Sequence, residues 1–310
     1  MAQRDPLAIT LAGLALRTPL IAAGGTCGYV SELRDGAGVA GLGAITTKSI
    51  TRLEREGNAP ARVVPTKVGM LNAIGLANMG LDAFVEREVP RVRESPIPVI
   101  VSVAGHALDE FAVVAETLAA TGEFAAIELN VSCPNTQTGR SFSADPASLL
   151  GLLRAVRARA ASARLFVKLP PDMADPCAMA AAAVEGGANA LVLCNTLPAM
   201  AIDVRTREPR LSRGVGGLSG PAIHPLVVRV VREVHAGVAR EAGVPIVGLG
   251  GVMDWEDAAE LILAGATAIG MGTATMADPR SPKRVAKGLE SWVLTQGCTS
   301  ITELVGQVRL

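Results

Sequence analysis

Lysine, asparagine and threonine side chains follow short apolar runs of the sequence, at the points where those runs end. The residues in question are Lys48, Asn130, Lys168, Asn195 and Thr196. A lysine among apolar residues is costly unless it meets negative charge. A flavin ring that has accepted a hydride carries such charge, and a nearby ammonium would stabilise it. A lysine that forms a Schiff base with a carbonyl substrate is the rival interpretation.

Asparagines form a second candidate set, which consists of Asn72, Asn130, Asn135 and Asn195. Each amide offers both hydrogen-bond donors and acceptors. The set would suit a planar ligand with alternating C=O and N–H edges, such as a pyrimidine. Asparagine also caps helices, so the set alone does not identify the ligand.

Cys133 stands out among the five cysteines because it lies in the polar loop SCPNTQTGRSFSADP, residues 132–146. A thiol there could be a nucleophile, a base or a metal ligand. The three histidines lie far away in the sequence and support no Cys–His pair. The odd number of cysteines and the lack of a Cys-x-x-Cys pair argue against a disulfide framework or a thiolate metal cluster. Cys177 and Cys194 are expected to be small buried hydrophobes.

Glycine-rich segments indicate a phosphate site. VGLGGV (247–252) and GMGTA (270–274) follow the seventh and eighth apolar runs, and GGLSGP (216–221) could add a third wall. Glycine lets backbone N–H groups approach phosphate oxygens without an intervening Cβ. Loops after the last two strands are the usual phosphate cradle of α/β barrels.

The apolar runs alternate with helical patterns, which predicts an α/β fold with parallel strands. Eight runs without sequence for a second domain favour a single closed (β/α)8 barrel over residues 1–310, with insertions at about 50–97 and 197–220 over its C-terminal mouth. The second insertion has the pattern of a small hairpin. The runs are 18–25, 44–49, 98–105, 125–132, 164–170, 190–196, 245–252 and 268–274.

Composition sets further limits. The 310 residues are 49% apolar but only 3% aromatic, which suits parallel strands covered by helices. The 29 basic and 29 acidic residues balance, so no global charge attracts nucleic acid or an anionic membrane. The N-terminal segment MAQRDPLAIT lacks the apolar core of a signal peptide. We therefore expect a cytoplasmic protein without a membrane span.

Several longer motifs together resemble one family. They are TTKSI around Lys48, NAIGLAN from Asn72, ELNVSCPN around Cys133, VKLPP around Lys168, CNTL, GGLSGPAIHP, VGLGGV and MGTA. The chain resembles dihydroorotate dehydrogenase over nearly its whole length, and most closely the NAD-linked class 1B catalytic subunit. The family's fumarate-using class 1A shares the cysteine motif, whereas the quinone-linked class carries serine in place of Cys133.

The resemblance implies FMN-dependent oxidation of dihydroorotate to orotate in pyrimidine biosynthesis, with Cys133 as the general base and Lys48 and Lys168 also in the catalytic set. It assigns two groups of binding residues. The substrate group is Lys48, Asn72, Ala73, Ile74, Gly75, Leu76, Asn130, Asn135, Asn195 and Thr196. The FMN group is Gly24, Lys48, Ser49, Ser102, Asn130, Lys168, Cys194, Gly220, Gly250, Gly251, Gly272 and Thr273.

The resemblance also implies a partner. Electrons would pass to NAD through a second subunit that carries FAD and a 2Fe–2S cluster, with a homodimer of this chain inside a heterotetramer. Three positions depart from the family pattern: Gly24 stands where serine is usual, Ser102 where asparagine is expected, and His224 where lysine is expected. The alternative function is that of a dihydropyrimidine dehydrogenase-like subunit acting on uracil or thymine. A flavin-free, aldolase-type barrel is a third hypothesis.

Overall fold

Eight parallel strands form a closed barrel in the computed structural model, which describes residues 5–29, 32, 39–132 and 142–309. Each strand pairs with its sequence neighbour, and β8 pairs with β1 to close the barrel. The strands are β1 (Leu20–Ala22), β2 (Ala44–Thr46), β3 (Val99–Val103), β4 (Ala126–Asn130), β5 (Leu165–Leu169), β6 (Ala190–Leu193), β7 (Ile246–Leu249) and β8 (Ala268–Met271).

Each of the eight apolar runs contains one barrel strand, so the predicted (β/α)8 fold is confirmed. The strands are rich in Val, Ile, Leu and Ala, and nearly all of their residues are buried. Near-continuous apolar strands of this kind form parallel sheets that are covered on the outside by helices.

Helices follow the strands and cover the barrel. Those after β3 to β8 are Leu108–Thr121, Pro146–Arg159, Pro176–Glu185, His224–Val234, Trp255–Ala264, Thr273–Ala277 and Ser281–Thr295. Shorter helical segments are Leu81–Arg87, Val89–Val92, Pro221–Ile223, His235–Ala239, Arg240–Ala242 and Ile301–Leu304. Aspartates at 145, 175 and 254 begin three of these helices by accepting a backbone N–H of the first turn.

The two insertions meet in one four-stranded antiparallel sheet, here called the roof sheet. Its strands are Val63–Thr66, Gly69–Asn72, Leu197–Met200 and Val215–Ser219. The last two form the hairpin that the sequence predicts, and Ile202–Asp203 pairs with Glu208–Pro209 beyond it. Val64, Leu71 and Leu211 form a small separate core on one face of the roof sheet.

The N-terminal residues form another hairpin, in which Ile9–Leu11 pairs with Leu14–Leu16 and adds Leu11 and Leu16 to the main core. Within the described ranges, no helix is both long enough and apolar enough to span a bilayer.

Candidate active site

A large cavity opens at the C-terminal ends of the barrel strands, beneath the roof sheet. It encloses about 1220 Å³ of empty space, part of which is open to solvent. All predicted site residues in the described part of the chain line it except Ala73 and Gly75. Cys133 and Asn135 lie outside the described residues.

The register of the roof sheet determines which of its side chains face the cavity. Asn72 pairs with Gly217 and Met70 pairs with Ser219, so these residues share one face. Met70, Asn72 and Ser219 all line the cavity. The Asn72 amide also donates to the Gly217 carbonyl at 3.1 Å, which fixes its orientation.

The two predicted residues that miss the cavity have structural roles beside it. Ala73 follows Asn72 and therefore points to the opposite face, where it packs against the small roof core. Gly75 has φ +76°, and a Cβ there would lie 2.7 Å from Asn58. Gly75 thus shapes the turn that presents Ile74 and Leu76 to the cavity.

A chain of hydrogen bonds joins the side chains of Asn195, Asn130, Ser49 and Ser102, which are here called the floor of the cavity. The Asn195 Nδ2 group donates to Asn130 Oδ1 at 3.1 Å and is also 3.1 Å from Ser132 Oγ. Asn130 Nδ2 in turn donates to Ser49 Oγ at 3.4 Å, and Ser49 shares a 2.8 Å hydrogen bond with Ser102. The chain joins side chains that follow or lie on β2, β3, β4 and β6, so it holds the polar groups of the floor in one arrangement.

Two oppositely charged residues are buried at the deep end of this chain. Lys168 on β5 is 7% exposed and Glu128 on β4 is 4% exposed. The register pairs Glu128 with Ser102 and Lys168 with Asn130, so all four side chains point into the barrel. Burial raises the pKa of Glu128, against the opposing effects of Lys168 and of a hydrogen bond from Ser102.

Glu128 was missed by the sequence reasoning, although it lines the cavity. The signal in the sequence is one carboxylate, Glu128, in the mostly apolar strand segment AIELN. Glu128 stands two residues before Asn130 and therefore on the same side of the strand. Its Oε1 atom is buried and has no hydrogen-bond partner within the described chain. A Cβ added to Gly24 would lie 3.4 Å from this atom, so Gly24 and the Glu128 carboxylate lie close together in the wall of the cavity.

Lys48 lines the cavity just after β2 and is half-buried. Burial lowers the pKa of its ammonium; nearby Arg62 adds to this effect and Glu32 opposes it. Its neighbour Thr47 accepts the Ser102 N–H at 3.1 Å, which links this loop to β3. Lys48 therefore places a partly desolvated positive charge at the cavity wall, where an anionic ligand would be bound strongly.

Glycines form the opposite wall, as the sequence predicts for a phosphate cradle. Gly220, Gly250 and Gly251 have φ values of +96°, +151° and +76°. Added Cβ atoms would lie 2.8 Å from Gly69 Cα, 2.6 Å from Val227 and 2.5 Å from His224, respectively. Only glycine fits such positions. Gly272 and Thr273 complete this wall, which is here called the glycine cradle. Thr273 Oγ1 donates to Ser219 Oγ at 2.9 Å.

The third glycine segment contributes less than expected. Gly216 and Gly217 lie in a roof strand and do not line the cavity. A Cβ on Gly216 would collide with the Asn72 carbonyl, and one on Gly217 with the Thr196 side chain. These two glycines allow close packing of the roof sheet against its neighbours, and Gly220 is the glycine of this segment that lines the cavity.

The lining fits a phosphorylated cofactor with a planar polar ring. A glycine cradle that side chains would block lies on one side, and amides, hydroxyls, a buried lysine and an unpartnered carboxylate oxygen lie on the other. Backbone N–H groups suit phosphate oxygens, whereas the side-chain set suits ring C=O and N–H groups.

The described cysteines are not equally buried. Cys194 is buried, as predicted, and burial raises the pKa of its thiol. The prediction for Cys177 is wrong, since this residue is only half-buried. It lies in the first turn of the helix Pro176–Glu185 and its thiol contacts the Glu233 carbonyl at 3.5 Å. Neither thiol has the low pKa of a reactive cysteine.

Comparison with known proteins gives consistent results. The family profile described as Dihydroorotate dehydrogenase matches residues 6–293. A protein of Geotalea daltonii named Dihydroorotate dehydrogenase B (NAD(+)), catalytic subunit, is 43% identical, with the whole of both chains covered. A protein of the same name from Geobacter sulfurreducens is 42% identical over 99% of this chain and 100% of its own. One from Desulforudis audaxviator is 42% identical over 96% of both chains.

Proposed function

The chain belongs to the dihydroorotate dehydrogenase family, and we propose that it oxidises dihydroorotate to orotate with FMN as cofactor and Cys133 as general base. The reaction would serve pyrimidine biosynthesis. The observation that carries the proposal is a cavity in which Lys48, Asn72, Asn195 and Lys168 lie together with a glycine cradle.

The chain's own groups account for cofactor binding. Gly220, Gly250, Gly251, Gly272 and Thr273 would hold the phosphate of FMN through backbone N–H groups. The ring edge would contact Gly24, Ser49, Ser102, Asn130, Lys168 and Cys194, which all line the other side of the cavity. Bound FMN would supply the hydride acceptor that the oxidation requires.

Lys168 is well placed to stabilise negative charge on the bound ring. Its ammonium is buried, so its electrostatic effect is less screened by water than that of an exposed lysine. Its pairing with Asn130 directs it into the barrel beside the hydrogen-bonded floor. A Schiff-base role is the weaker hypothesis for Lys168, since dihydroorotate oxidation involves no carbonyl condensation.

Substrate binding is assigned to the roof side of the cavity and to the loops after β2, β4 and β6. Asn72, Asn130, Asn135, Asn195 and Thr196 would meet the C=O and N–H groups of the pyrimidine ring. Lys48 would pair with the carboxylate, the group that distinguishes dihydroorotate from uracil derivatives. Ala73 and Gly75 do not line the cavity, and their role would be to hold the turn in which Ile74 and Leu76 face the pyrimidine ring.

Cys133 would accept a proton from the ring methylene of the substrate as the hydride leaves the adjacent carbon. A thiol can do this only as the thiolate, so the reaction should accelerate as pH rises until the thiol is ionised. In the sequence, Cys133 follows Asn130, the last residue of β4, by three positions. Lys48 and Asn195 come just after β2 and β6 in the same way.

Electrons would leave through a second subunit that carries FAD and a 2Fe–2S cluster and reduces NAD. The relatives' names, which specify a catalytic subunit and NAD, support this assignment. A homodimer of this chain within a heterotetramer would complete the assembly. The exposed apolar side chains of Met200 and Val215, at one end of the roof sheet, and of Ile202 and Val204 just beyond it would give another chain a surface to pack against.

The decisive test uses anaerobic FMN-loaded protein mixed separately with dihydroorotate and dihydrouracil, while the visible flavin absorption is followed. We expect bleaching by dihydroorotate. Bleaching by dihydrouracil alone would favour the dihydropyrimidine dehydrogenase-like alternative, which the compared relatives do not support. A colourless protein that takes up no FMN would indicate a flavin-free barrel.

A further inference from the structure

His224 makes two hydrogen bonds that connect the glycine cradle to a neighbouring helix. It begins the helix His224–Val234 and is 6% exposed. Its Nδ1 atom lies 2.9 Å from the carbonyl oxygen of Gly250. Its Nε2 atom lies 3.0 Å from Glu260 Oε2 and 3.8 Å from Asp257 Oδ1.

The partners of His224 determine its donor pattern. The Gly250 carbonyl can only accept a hydrogen bond, and the Glu260 carboxylate, 63% exposed to water, also only accepts. Both ring nitrogens of His224 therefore face hydrogen-bond acceptors, and the ring lies between the Gly250 carbonyl and two carboxylates. Asp257 is already engaged, since its Oδ2 atom accepts the Met253 N–H at 2.8 Å.

The bond to Gly250 controls the direction of the next N–H group. In a trans peptide the C=O of one residue and the N–H of the next point in opposite directions. The Gly250 carbonyl points to His224, so the Gly251 N–H points away from it. Among the residues described, no hydrogen-bond acceptor takes either the Gly250 or the Gly251 N–H. These two donors thus remain free for a ligand in the cavity.

We infer that His224, held by Glu260, is a positioning residue that orients the Gly250–Gly251 peptide for the phosphate group of the flavin nucleotide. This inference rests on the proposed function, because it requires that a flavin phosphate binds at the cradle. Nothing in it requires His224 to touch the ring or the substrate.

The test compares FMN with riboflavin, which has the same ring but no phosphate. Dissociation constants of both are measured by flavin fluorescence for the full chain and two matched variants. In His224→Asn the amide nitrogen can occupy the Nδ1 position and bond Gly250, whereas His224→Gln places its amide near the Nε2 position and leaves Gly250 free. We expect His224→Gln to weaken FMN binding about 10- to 100-fold. His224→Asn keeps the Gly250 bond and loses only the Glu260 anchor, so it should weaken FMN binding about threefold.

Riboflavin affinity should stay unchanged in both variants, which also shows that the cavity has folded. Equal FMN affinity in the Asn and Gln variants would overturn the inference. If the wild type binds neither flavin, the proposed function itself fails, and that result is distinct from the first.

Glu260→Ala gives a second, independent test, because this carboxylate is exposed and its removal leaves the core intact. Loss of the second anchor should lower FMN affinity about threefold or more without changing riboflavin affinity. A ratio of FMN to riboflavin affinity equal to that of wild type would contradict the role of Glu260.

Discussion

Asn195 donates a 3.1 Å hydrogen bond to Asn130 across the mouth of the barrel, over the strand β5 that lies between their strands. The bond leaves Asn130 Nδ2 to continue toward Ser49. The hydrogen bond thus holds together two side chains that are 65 positions apart in the sequence, and they form one polar surface of the cavity. Their amides form the part of the floor that the proposed pyrimidine would contact.

Loss of the Asn195 donor should weaken substrate binding. Asn195→Ala removes the hydrogen bonds to Asn130 and Ser132 and leaves two partly buried acceptors without this donor, which costs about 1–3 kcal/mol. The Kd for orotate, measured from the perturbation of the flavin absorption, should rise about 10- to 100-fold. Ser132→Ala is the control, because it keeps the Asn195–Asn130 bond and should change the Kd less than threefold. A wild-type Kd in Asn195→Ala would exclude a binding role for this bond.

Lys48 should strengthen the binding of ligands that carry a carboxylate and have little effect on ligands that lack one. Replacement by methionine keeps the apolar stem and removes the charge, so a charge-assisted bond worth about 1.5–3 kcal/mol is lost. Orotate binding should weaken about 10- to 100-fold, while uracil binding should change less than threefold. Equal losses for the two ligands would show that Lys48 acts on the ring or the cofactor and leaves the carboxylate to another residue.

Glu128 should make stability depend on pH in a defined direction. Its pKa is raised in the folded protein by burial, above the ordinary value of 4.5. The folded state therefore binds this proton more tightly than the unfolded chain does. The resulting stabilisation is complete below pH 4.5 and is lost as pH rises through the raised pKa.

Glu128→Gln tests this linkage, because the neutral amide can still bond Ser102. Without added FMN, the Tm of the variant should exceed that of wild type at pH 8, by about 2–4 °C for each kcal/mol of relieved desolvation. The difference should shrink near pH 5. The control is Glu86→Gln on an exposed helix surface, where a Tm near that of wild type at both pH values is expected. A Tm for Glu128→Gln below wild type at pH 8 would mean that the buried charge stabilises the fold.

Gly251 should be intolerant of any side chain. A Cβ at this position meets both a positive φ of +76° and His224 Cβ at 2.5 Å. Gly243 is a matched control, since its φ is +65° and nothing lies within 4 Å of its Cβ position. Gly243→Ala should cost about 1–2 kcal/mol of unfolding free energy from backbone strain alone. Gly251→Ala should cost more and also abolish FMN binding; comparable losses in the two variants would refute the steric argument.

The barrel was predictable from sequence because its signals are local. Each strand is a short apolar run, and polar residues such as Asn130 and Lys168 follow from the rule that barrel sites form at the C-terminal strand ends. Gly250 and Gly251 also carry a local signal, because the positive φ that each adopts favours glycine whatever its neighbours. These positions could be assigned without knowledge of their distant neighbours.

Other features depend on contacts between distant segments. The roof sheet joins residues near 70 with residues near 217, and neither segment alone indicates that pairing. Glu128 looks like an exception within an apolar strand until Lys168 and Ser102 are placed around it. The role of His224 becomes visible only when Gly250 and Glu260 are brought to its two nitrogens. Cys177 was misassigned because an apolar helix sequence does not reveal which turn faces solvent.

The most direct test of the account is a single-turnover experiment on FMN-loaded protein mixed anaerobically with dihydroorotate, in wild type and in Cys133→Ala. The wild type should form one orotate for each flavin bleached, at a rate that rises with pH until the thiol is ionised. Cys133→Ala should keep its FMN and lose about 10²- to 10⁴-fold in that rate, the usual contribution of a general base. Bleaching of the variant at the wild-type rate at neutral pH, or no bleaching of the wild type by dihydroorotate, would contradict the account.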